Sequence, residues 1–529
     1  MNIISKSFKA SLAELREDFF DFLNYCKTNT LMIVLISFFT LLAYGSKLFF
    51  YSISIDTEVL INKQSLQLNA WTSIGRFGLV LSKHLFGGVI FNPFLACFLM
   101  ITTLILFSLI WSYVLNYFNF SKKIKTITSC IFPIVFLTAP LFAEQFNFIL
   151  QGFEVALAII MCAISVFFIN KWIISTYNII QLFLGIVLMI WGFATYQSIV
   201  NLYISGTIAC YLLIYISVKK GNIEVSKYFF KTSIIKNIFA FISGYVLYSL
   251  LNNIIRSFKG ATTYLDNSIY WGKISASDCI NNIINYIKTT FTTDNIFYHR
   301  GFLVVFIFVL LYAIINLFSK SKDKFLFLLA SITLLISPYL LAIYLGHGLI
   351  TRAQFSLQFV ISFGIYFLII VFDKNTINFL GLILSFFIAL NQGYTVSSLL
   401  YSDYMKYEAE VRLATKISNR IAELNLGETP AYPVVFVGSY HPTSTPLELH
   451  TDVIGASFFE WDSSYALGGS TGRIQGFMNS IGIMYLSPSI EDAAKAKEIA
   501  STMDTWPNTG SVKFEDGVIV VKLSNNNIY

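Results

Sequence analysis

Charged residues are scarce in this sequence. Only 12% of its 529 residues are Asp, Glu, Lys or Arg, whereas soluble proteins carry roughly 25%. Hydrophobic residues make up 56% of the chain, and apolar runs of membrane-spanning length, about 20 residues each, recur along it. This composition excludes an ordinary soluble protein. The formal net charge of +7 does not indicate nucleic-acid binding, because the lysines crowd into short loops between the apolar runs.

Residues that build disulfide and metal sites are also few. Most of the six Cys lie in or beside apolar runs, and the hydrophilic C-terminal region has none. The five His form neither an HExxH motif nor a closely spaced pair, so a cage for zinc is not indicated. The C-terminal region also lacks a P-loop, a GxGxxG motif and a GxSxG elbow. We therefore predict no metal and no cofactor.

Hydropathy predicts a polytopic α-helical membrane protein with about eleven transmembrane helices. Before the first span, residues 8–25 carry apolar side chains three or four apart, and Ser11 and Glu14 resemble a capping box. We expect residues 1–30 to form an amphipathic helix at the cytoplasmic membrane surface. The predicted spans are 31–50, 91–115, 127–142, 155–170, 179–195, 199–217, 234–254, 302–318, 325–345, 355–372 and 377–392.

The loops between the spans alternate in lysine content. Lysines are concentrated at 122–125, 171, 219–231, 320–324 and 374, whereas loops of the other parity have few, apart from the long loop at 256–300. Long loops are weak indicators of orientation, and short lysine-rich loops stay in the cytoplasm. The N-terminus is therefore predicted to be cytoplasmic and the C-terminal region extracytoplasmic.

The composition becomes that of a soluble domain after Tyr394. Residues 404–424 and 491–503 are predicted helices, and 434–437 is a predicted strand. The dipeptide Asp516-Gly517, between apolar runs at 512–514 and 518–523, is a strong hairpin signal. We divide the chain into an amphipathic helix (1–30), a transmembrane domain (31–398) and a small extracytoplasmic α/β domain (399–529). The last resembles a lid or an acceptor-binding module rather than a second catalytic centre.

Two carboxylates follow the first span directly. Asp56 and Glu58 lie where a membrane helix should emerge into water, before an amphipathic segment that contains Trp71 and Arg76. Residues two apart face the same side of an extended segment, and either acid could act as a general base toward an acceptor hydroxyl. The alternative is that both acids merely mark the aqueous end of the helix.

Arg76 and Arg352 are the candidate phosphate-binding residues. Arginine presents a planar set of donors that matches phosphate oxygens, and it keeps its charge when partly buried. Arg352 lies in a short loop between two spans, within GHGLITRAQFS. Either residue could hold the phosphate of a lipid-linked sugar and stabilise the charge that develops as the phosphate leaves. The alternative for both is contact with lipid headgroups.

Further polar residues collect in loops of the same parity as the acidic pair. If the topology holds, they meet at one membrane face, and polar groups at membrane depth are functional candidates by default. Amide and carboxylate groups there could bind sugar hydroxyls, and an aromatic ring could stack on the sugar. For the aromatic residues the alternative is the ordinary interfacial belt. The candidates for sugar or acceptor binding are Glu144, Gln145, Glu154, Tyr196, Gln197 and Trp71.

The order of these features resembles the polytopic GT-C glycosyltransferases, and within them the bacterial type II glucosyltransferases that modify O-antigen and related surface glycans. The resemblance rests on IDTE (55–58), NAWTSIGRFG (69–78), ATYQS (194–198) and TRAQFSLQF (351–359), and on the external domain that opens with YMKYEAEVRLATKI. It implies inverting transfer of glucose from undecaprenyl-phosphate glucose to a surface polysaccharide in the bacterial inner membrane. By this analogy Asp56 would be the base, and Arg352 or Arg76 would hold the donor phosphate.

Two other functions share this topology. A flippase or transporter for a polyprenyl-linked sugar would be expected to show repeats and polar groups near the midplane, but the polar residues gather at one face. A surface-polysaccharide polymerase or ligase would rely on a large external loop with Arg and His, and His299 and Arg300 keep that alternative open. The expected partners are a polyprenyl-phosphate sugar donor, a lipid-linked or surface polysaccharide acceptor, and membrane lipid.

Overall fold

The computed structural model describes residues 2–120, 126–174, 178–220, 230–260, 267–372, 374–427, 430–461 and 470–525. Apolar helices form a bundle that continues into a small C-terminal α/β domain. The helices are α1 (Asn2–Thr28), α2 (Thr30–Tyr44), α3 (Ser46–Phe49), α4 (Thr57–Asn62), α5 (Gln64–Ser73), α6 (Phe77–Leu85), α7 (Pro93–Phe118), α8 (Thr126–Ser129), α9 (Ile131–Leu137), α10 (Pro140–Asn147), α11 (Gly152–Ile174), α12 (Ile179–Thr195), α13 (Ile199–Lys219), α14 (Phe230–Lys259), α15 (Ala276–Thr292), α16 (Gly301–Leu317), α17 (Lys324–Ile336), α18 (Leu340–Leu345), α19 (Phe355–Phe372), α20 (Asn375–Ala422), α21 (Thr471–Ser480) and α22 (Ile490–Ala500). The strands are β1 (Val434–Val437), β2 (Val512–Glu515) and β3 (Val518–Lys522).

The bundle has the helices of an integral membrane protein. Within the described ranges, seven helices are long and apolar enough to cross a membrane, or up to nine if two bent pairs each count as one span. Those pairs are α1 with α2, bent by 80°, and α8–α9 with α10, bent by 54°. Helices α12 and α16 are also apolar but have only 17 residues each. Length and composition therefore support seven to nine spans, and the predicted count of eleven is not confirmed.

Helix α1 is longer than the pattern at 8–25 predicted, and the expected capping box is absent. The helix begins at Asn2, so Ser11 lies in its interior and has no helix start to cap. Instead, the Ser11 hydroxyl donates to Asn178 Oδ1 at 3.0 Å, and Glu14 accepts from Asn178 Nδ2 at 2.6 Å. Lys171 adds an ion pair with Asp18 at 2.6 Å. Helix α1 therefore packs beside the connection from α11 to α12.

The C-terminal domain contains the predicted strands. The three-stranded sheet has the order β1-β3-β2, with β1 parallel to β3 and β2 antiparallel to it. Asp516 and Gly517 join β2 to β3 with φ angles of 49° and 77°, and the left-handed conformation at both positions is the one a two-residue hairpin requires. Ser489 and Asp492 form a capping box at the start of α22, which packs against β3. These local predictions are confirmed.

Helix α20 joins the bundle to the C-terminal domain without a break. It has 48 residues and is therefore about 72 Å long. Its first half packs against α2 and α9, while Ala414, Ile417 and Ile421 belong to the apolar core of the C-terminal domain. The division predicted at residues 398 and 399 thus falls inside one continuous helix. Bundle and domain share a single element, which holds the domain over one end of the bundle.

We call the end of the bundle that carries the C-terminal domain the domain end. The short helices α3 to α6 lie there, and so does the turn Phe148–Gln151 between α10 and α11, which we call the central turn. Six buried side chains from α4, α5, α6, the central turn and the C-terminal domain form one apolar cluster. Its members are Leu60, Trp71, Leu79, Phe148, Leu150 and Val453. This cluster ties the predicted site segments to the C-terminal domain.

Candidate active site

Asp56 and Glu58 share one partner, Arg473 of the C-terminal domain. Arg473 Nη1 donates to Glu58 Oε1 at 2.5 Å, and Nη2 donates to Asp56 Oδ1 at 3.3 Å. The guanidinium therefore bridges the two carboxylates with two different nitrogens. Glu58 lies in α4 and Asp56 just before it, so the two acids are not on an extended segment, and the cation that joins them comes from a distant part of the chain.

Asp56 combines an uncommon backbone conformation with a half-exposed side chain. Asp56 precedes α4 with φ 74° and its side chain makes no capping hydrogen bond. This left-handed conformation is uncommon for a residue other than glycine, although Asp and Asn tolerate it best. The Asp56 side chain is 48% exposed. A carboxylate in a strained backbone conformation, accessible to solvent, is a candidate for function.

Glu58 is in the opposite environment. Its side chain is only 1% exposed, and its second oxygen, Oε2, is buried without a hydrogen-bond partner. Burial raises the pKa of Glu58 to about 7, although Arg473 acts in the opposite direction. Burial disfavours the charged form, whereas a nearby cation favours it. The two acids are thus distinguished by solvent access, with Asp56 open and Glu58 enclosed.

Arg76 lies beside the central turn and beside Tyr196. Its Cζ atom is 4.7 Å from the centre of the Tyr196 ring, and Nη1 is 3.5 Å from Gln151 Oε1. Nε is buried without a hydrogen-bond partner. Among the described residues, no carboxylate pairs with Arg76. Among the described residues, its guanidinium therefore contacts an aromatic face and one amide oxygen but no anion.

Arg352 lies on the other side of the central turn and does have a carboxylate partner. Its Nη1 donates to Asp452 Oδ2 of the C-terminal domain at 2.6 Å, and its Cζ is 5.4 Å from the centre of the Phe148 ring. The same segment of the C-terminal domain binds Glu144. The amides of Asp452 and Val453 donate to the Glu144 carboxylate at 3.2 and 3.1 Å, and Thr451 donates its hydroxyl.

Glu154 and Trp71 meet at a lysine that the sequence did not single out. Lys83 Nζ donates to Glu154 Oε1 at 2.9 Å, and both side chains are less than 5% exposed. The same ammonium lies 5.4 Å from the centre of the Trp71 ring. The Glu154 carboxylate is thus neutralised inside the bundle.

Gln145 and Gln197 differ in their hydrogen bonding. Gln197 Nε2 donates to the carbonyl oxygen of Ile74 at 2.9 Å, which holds the turn before Arg76. Gln145 is fully buried on α10, and both polar atoms of its side chain lack a hydrogen-bond partner. Asn147, two residues along, is in the same state. Buried amides without partners are rare, and each calls for an explanation such as a bound water or a role in the site.

The model of the family described as Glucosyl transferase GtrII matches residues 45–371. The match covers well over half of the chain. This protein belongs to the GtrII glucosyl transferase family. The expectation of a bacterial type II glucosyltransferase is confirmed at that level. No curated protein and no solved structure matches the chain.

The GtrII match divides the site into two parts. All ten residues predicted from the sequence, from Asp56 to Arg352, lie within the matched residues. Arg473, Asp452 and Val453 lie beyond its end at residue 371. The GtrII region therefore carries the predicted reactive groups, and the C-terminal domain carries several of their partners.

The residues that sequence reasoning missed have no local signal. Arg473 contacts Asp56 across 417 sequence positions, and Asp452 contacts Arg352 across 100. Lys83 is one of two basic residues in the last turn of α6, and its partner is 71 positions away. No periodicity or spacing rule connects positions so far apart, so only the folded chain pairs them.

The polymerase or ligase alternative requires His299 and Arg300 of the long loop at 256–300 to take part in a site. His299 and Arg300 have side chains 73% and 71% exposed, and both pair with Asp294 on the surface. Asp266 and the lysines at 122, 123, 125 and 227 lie outside the described residues.

In the part of the chain that the structure describes, no three His, Cys, Asp or Glu side chains are grouped as metal ligands.

Proposed function

We propose that this GtrII family member transfers glucose from a polyprenyl-phosphate donor to a surface polysaccharide such as O-antigen. The transfer would invert the anomeric carbon and need no metal ion. The observation that carries the proposal is the half-exposed carboxylate of Asp56, beside the enclosed Glu58. Ile53 and Ile55, just before it, share an apolar cluster with Ile149 of the central turn, the turn that also contacts Arg76.

Asp56 is the general base in this proposal. The acceptor oxygen bonds to the anomeric carbon from the face opposite the phosphate, and the bond between that carbon and the phosphate oxygen breaks. The hydroxyl proton passes to Asp56, and the electron pair leaves with the polyprenyl phosphate. Glu58 is too deeply buried to reach an acceptor. A positioned base of this kind contributes about 10²- to 10⁴-fold to the rate.

Arg76 is the better candidate for the donor phosphate. Arg352 is already neutralised by Asp452 at 2.6 Å, whereas Arg76 has no carboxylate partner among the described residues. A phosphodiester brings one negative charge, and a second develops as the phosphate leaves. A guanidinium that is free of other anions can stabilise that charge without a metal ion.

An apolar cavity supports the placement of the donor at Arg76. The cavity has a volume of about 400 Å³ and lies between α13, α14 and α17. Phe77 follows Arg76 and stacks on Tyr248, Tyr248 contacts Phe193, and Phe193 contacts Tyr203. Tyr203 lines the cavity. This row of aromatic rings connects the proposed phosphate site with a place for part of the prenyl chain.

The sugar would contact the amides of α10 and the aromatic residues near Arg76. Gln145 has unpartnered donor and acceptor atoms but is fully buried, so it would bind a sugar hydroxyl only after the site opens around α10. Glu144 and Glu154 have carboxylates bound to the C-terminal domain and to Lys83. We assign these two acids to support of the site, and Tyr196, Gln197 and Trp71 to its walls.

The proposed orientation follows the lysine distribution. Helix α1 contacts Lys171 and Asn178, in a connection of the lysine-rich parity. The C-terminal domain caps the connections of the other parity, at Asp56, Glu144 and Arg352. We therefore propose a cytoplasmic N-terminus and an extracytoplasmic C-terminal domain, in the inner membrane of a bacterium. A lipid-linked polysaccharide would reach Asp56 beneath the C-terminal domain.

The Asp56→Asn variant tests the function. Asn tolerates the left-handed backbone about as well as Asp, so the substitution removes the charge and keeps the conformation. The assay uses the purified full chain in lipid nanodiscs, polyprenyl-phosphate glucose with labelled sugar, and lipid-linked polysaccharide. We expect transfer to fall by about 10²-fold or more, with unchanged melting temperature.

The matched control is Asp294→Asn, an acid of the same exposure in the long loop. It should retain full activity. Wild-type transfer that survives in Asp56→Asn would remove Asp56 as the base. Loss of wild-type transfer on addition of EDTA, restored by a divalent ion, would overturn the proposed metal independence.

A further inference from the structure

Arg473 is a buried cation in contact with the candidate base. Its side chain is 6% exposed, and it lies on α21 in the C-terminal domain, about 100 residues beyond the end of the GtrII match. Two of its nitrogens bind two carboxylates, Asp56 and Glu58. The proposed function as described above does not use this contact, although it touches the residue assigned as base.

Helix α21 is held rigidly against both the sheet and the acidic segment. Thr471 at its start exchanges hydrogen bonds of 3.0 Å with the amide and carbonyl of Phe436 in β1. Gln475 donates to the carbonyls of Val434 and Leu486 at 2.9 and 3.1 Å. Arg473 therefore projects from an element whose position is determined by the core of the C-terminal domain.

The acidic segment approaches α21 closely on the opposite side. Asn62 at the end of α4 donates to the carbonyl oxygen of Gly476 at 2.8 Å. A Cβ atom at Gly476 would lie 2.9 Å from Glu58 Cγ, so a larger residue there would push the helices apart. This close approach lets the short distance between Arg473 and Glu58 form.

The contact leaves one face of Asp56 available. Only Oδ1 of Asp56 is bound to Arg473, while the side chain remains 48% exposed. The buried Glu58 binds the guanidinium from the other side at 2.5 Å. Glu58 thus anchors Arg473, and Arg473 in turn limits the rotation of the Asp56 carboxylate. The charged groups that face Glu58 are Arg473 and Asp56.

We infer that Arg473 is a positioning residue for the transfer reaction, supplied by the C-terminal domain, which orients Asp56 toward the acceptor hydroxyl. The inference rests on the proposed function, because it takes Asp56 as the base. Its consequence is that the bundle alone does not have a complete site. The C-terminal domain, which would also receive the polysaccharide, supplies the group that aligns the base.

The test compares three variants of the full chain in nanodiscs. Arg473→Gln removes the cation, Arg473→Lys keeps a charge that cannot bridge both acids through a planar fork, and Gln475→Ala loosens α21 without touching the carboxylates. We expect Arg473→Gln to lower kcat by about 10²-fold, the loss typical of a misplaced catalytic group, while KM for the donor changes less than about threefold. Arg473→Lys should recover part of kcat.

The split between kcat and KM, and rescue by lysine, separate positioning from a purely structural role. A structural role would lower kcat together with the melting temperature and would gain nothing from lysine, whereas a positioning role lowers kcat with little change in donor KM. Gln475→Ala should lower the melting temperature with a smaller loss of kcat than Arg473→Gln. Wild-type kcat in Arg473→Gln, or a loss of kcat in Gln475→Ala as large as in Arg473→Gln, would overturn the inference.

Asp56→Asn in the same assay distinguishes failure of the positioning role from failure of the proposed function. If the wild type transfers glucose, Asp56→Asn does not, and Arg473→Gln matches the wild type, the positioning role is wrong and the proposed function stands. If the wild type does not transfer glucose from polyprenyl-phosphate glucose, or Asp56→Asn does so fully, the proposed function is wrong and the positioning role falls with it.

Discussion

The GtrII region and the C-terminal domain contribute differently to the charges at the domain end. Inside the GtrII region, Lys83 and Glu154 pair with each other and exclude water almost completely. Across the boundary, Arg352 pairs with Asp452, and both side chains remain more than 20% exposed. Glu144 and Glu58 are enclosed, but by atoms of the C-terminal domain.

This difference separates a permanent contact from one that a substrate could open. The internal pair is made by helices that must pack for the bundle to exist. The C-terminal domain also contacts the half-exposed Asp56 through Arg473, and in the proposed function an acceptor must reach this carboxylate. The C-terminal domain therefore supplies partners for several of the candidate residues, and substitutions on the two sides of the boundary should have different effects.

The first prediction concerns stability on the two sides of the boundary. Glu154→Gln leaves the buried Lys83 without its anion, and breaking a buried pair in this way costs about 3–5 kcal/mol. Asp452→Asn breaks a partly exposed pair, which is worth about 1 kcal/mol or less. Unfolding of the purified proteins in detergent measures both. An equal loss of unfolding free energy in Asp452→Asn and Glu154→Gln would show that the two ion pairs do not differ in the way described.

The second prediction compares the two arginines beside the central turn. Arg76→Gln should lower kcat/KM for polyprenyl-phosphate glucose by about 10²- to 10³-fold, the loss expected when a donor to a developing anion is removed. Arg352→Gln should lower it about tenfold or less, because Asp452 already neutralises that guanidinium. Steady-state kinetics at varied donor concentration measure both values. Equal losses of kcat/KM in the two variants would make Arg352 a candidate phosphate ligand again.

The third prediction concerns pH and Glu58. The pKa of this carboxyl rises from an ordinary value of 4.5 to about 7 on burial. Stability from this group is therefore fully present below pH 4.5 and is lost as the pH rises through 7, because the unfolded chain releases its proton first. A gap of this size corresponds to about 3 kcal/mol as an upper limit.

Glu58→Gln should remove that part of the pH dependence. The measurement is the melting temperature of the full chain between pH 5 and pH 8, with Asp294→Asn as the control. The wild type and the control should lose stability across this range, and Glu58→Gln should lose less. A slope in Glu58→Gln equal to that of the wild type would show that Glu58 is ionised in the folded protein throughout.

The fourth prediction asks which cavity holds the prenyl chain. Ala330 lines the cavity of about 400 Å³ near the aromatic row, and Val305 lines a second cavity of about 430 Å³ between α16, α19 and α20. Ala330→Trp should raise KM for the donor about tenfold, the effect of losing part of a buried apolar contact. Val305→Trp is the matched control, and a larger effect there would move the donor to the other side of the bundle.

Much of the local structure could be predicted because its causes are local. The strand at 434–437, the hairpin at Asp516-Gly517 and the start of α22 follow from side-chain alternation, turn geometry and capping within a few residues. The long apolar helices follow from composition in the same way. The prediction of a capping box at Ser11 was wrong because the helix already begins at Asn2. The residues before Ser11 continue the helix, so its start lies elsewhere.

The candidate site was predicted as a set of residues but not as a set of contacts. Asp56, Glu58 and Arg76 could be singled out because polar groups are conspicuous in an apolar chain. Their environments could not be predicted from the sequence. The exposure of Asp56 and the enclosure of Glu58 depend on a helix more than 400 positions away. Glu144 and Glu154 were predicted as sugar ligands, yet their carboxylates bind protein groups in the structure.

Hydropathy, composition and residue order were enough to indicate a membrane protein, a polar domain after the bundle, and two acids directly after the first span. Hydropathy and turn preferences act between neighbours along the chain, so they can be read in order. The folded chain was needed to show that Asp56 meets solvent while Glu58 is enclosed, and that Arg352 has a carboxylate partner while Arg76 has none among the described residues. Desolvation and ion pairing depend on distance in space, and Arg473 and Asp452 come close to their partners only when the C-terminal domain packs on the bundle.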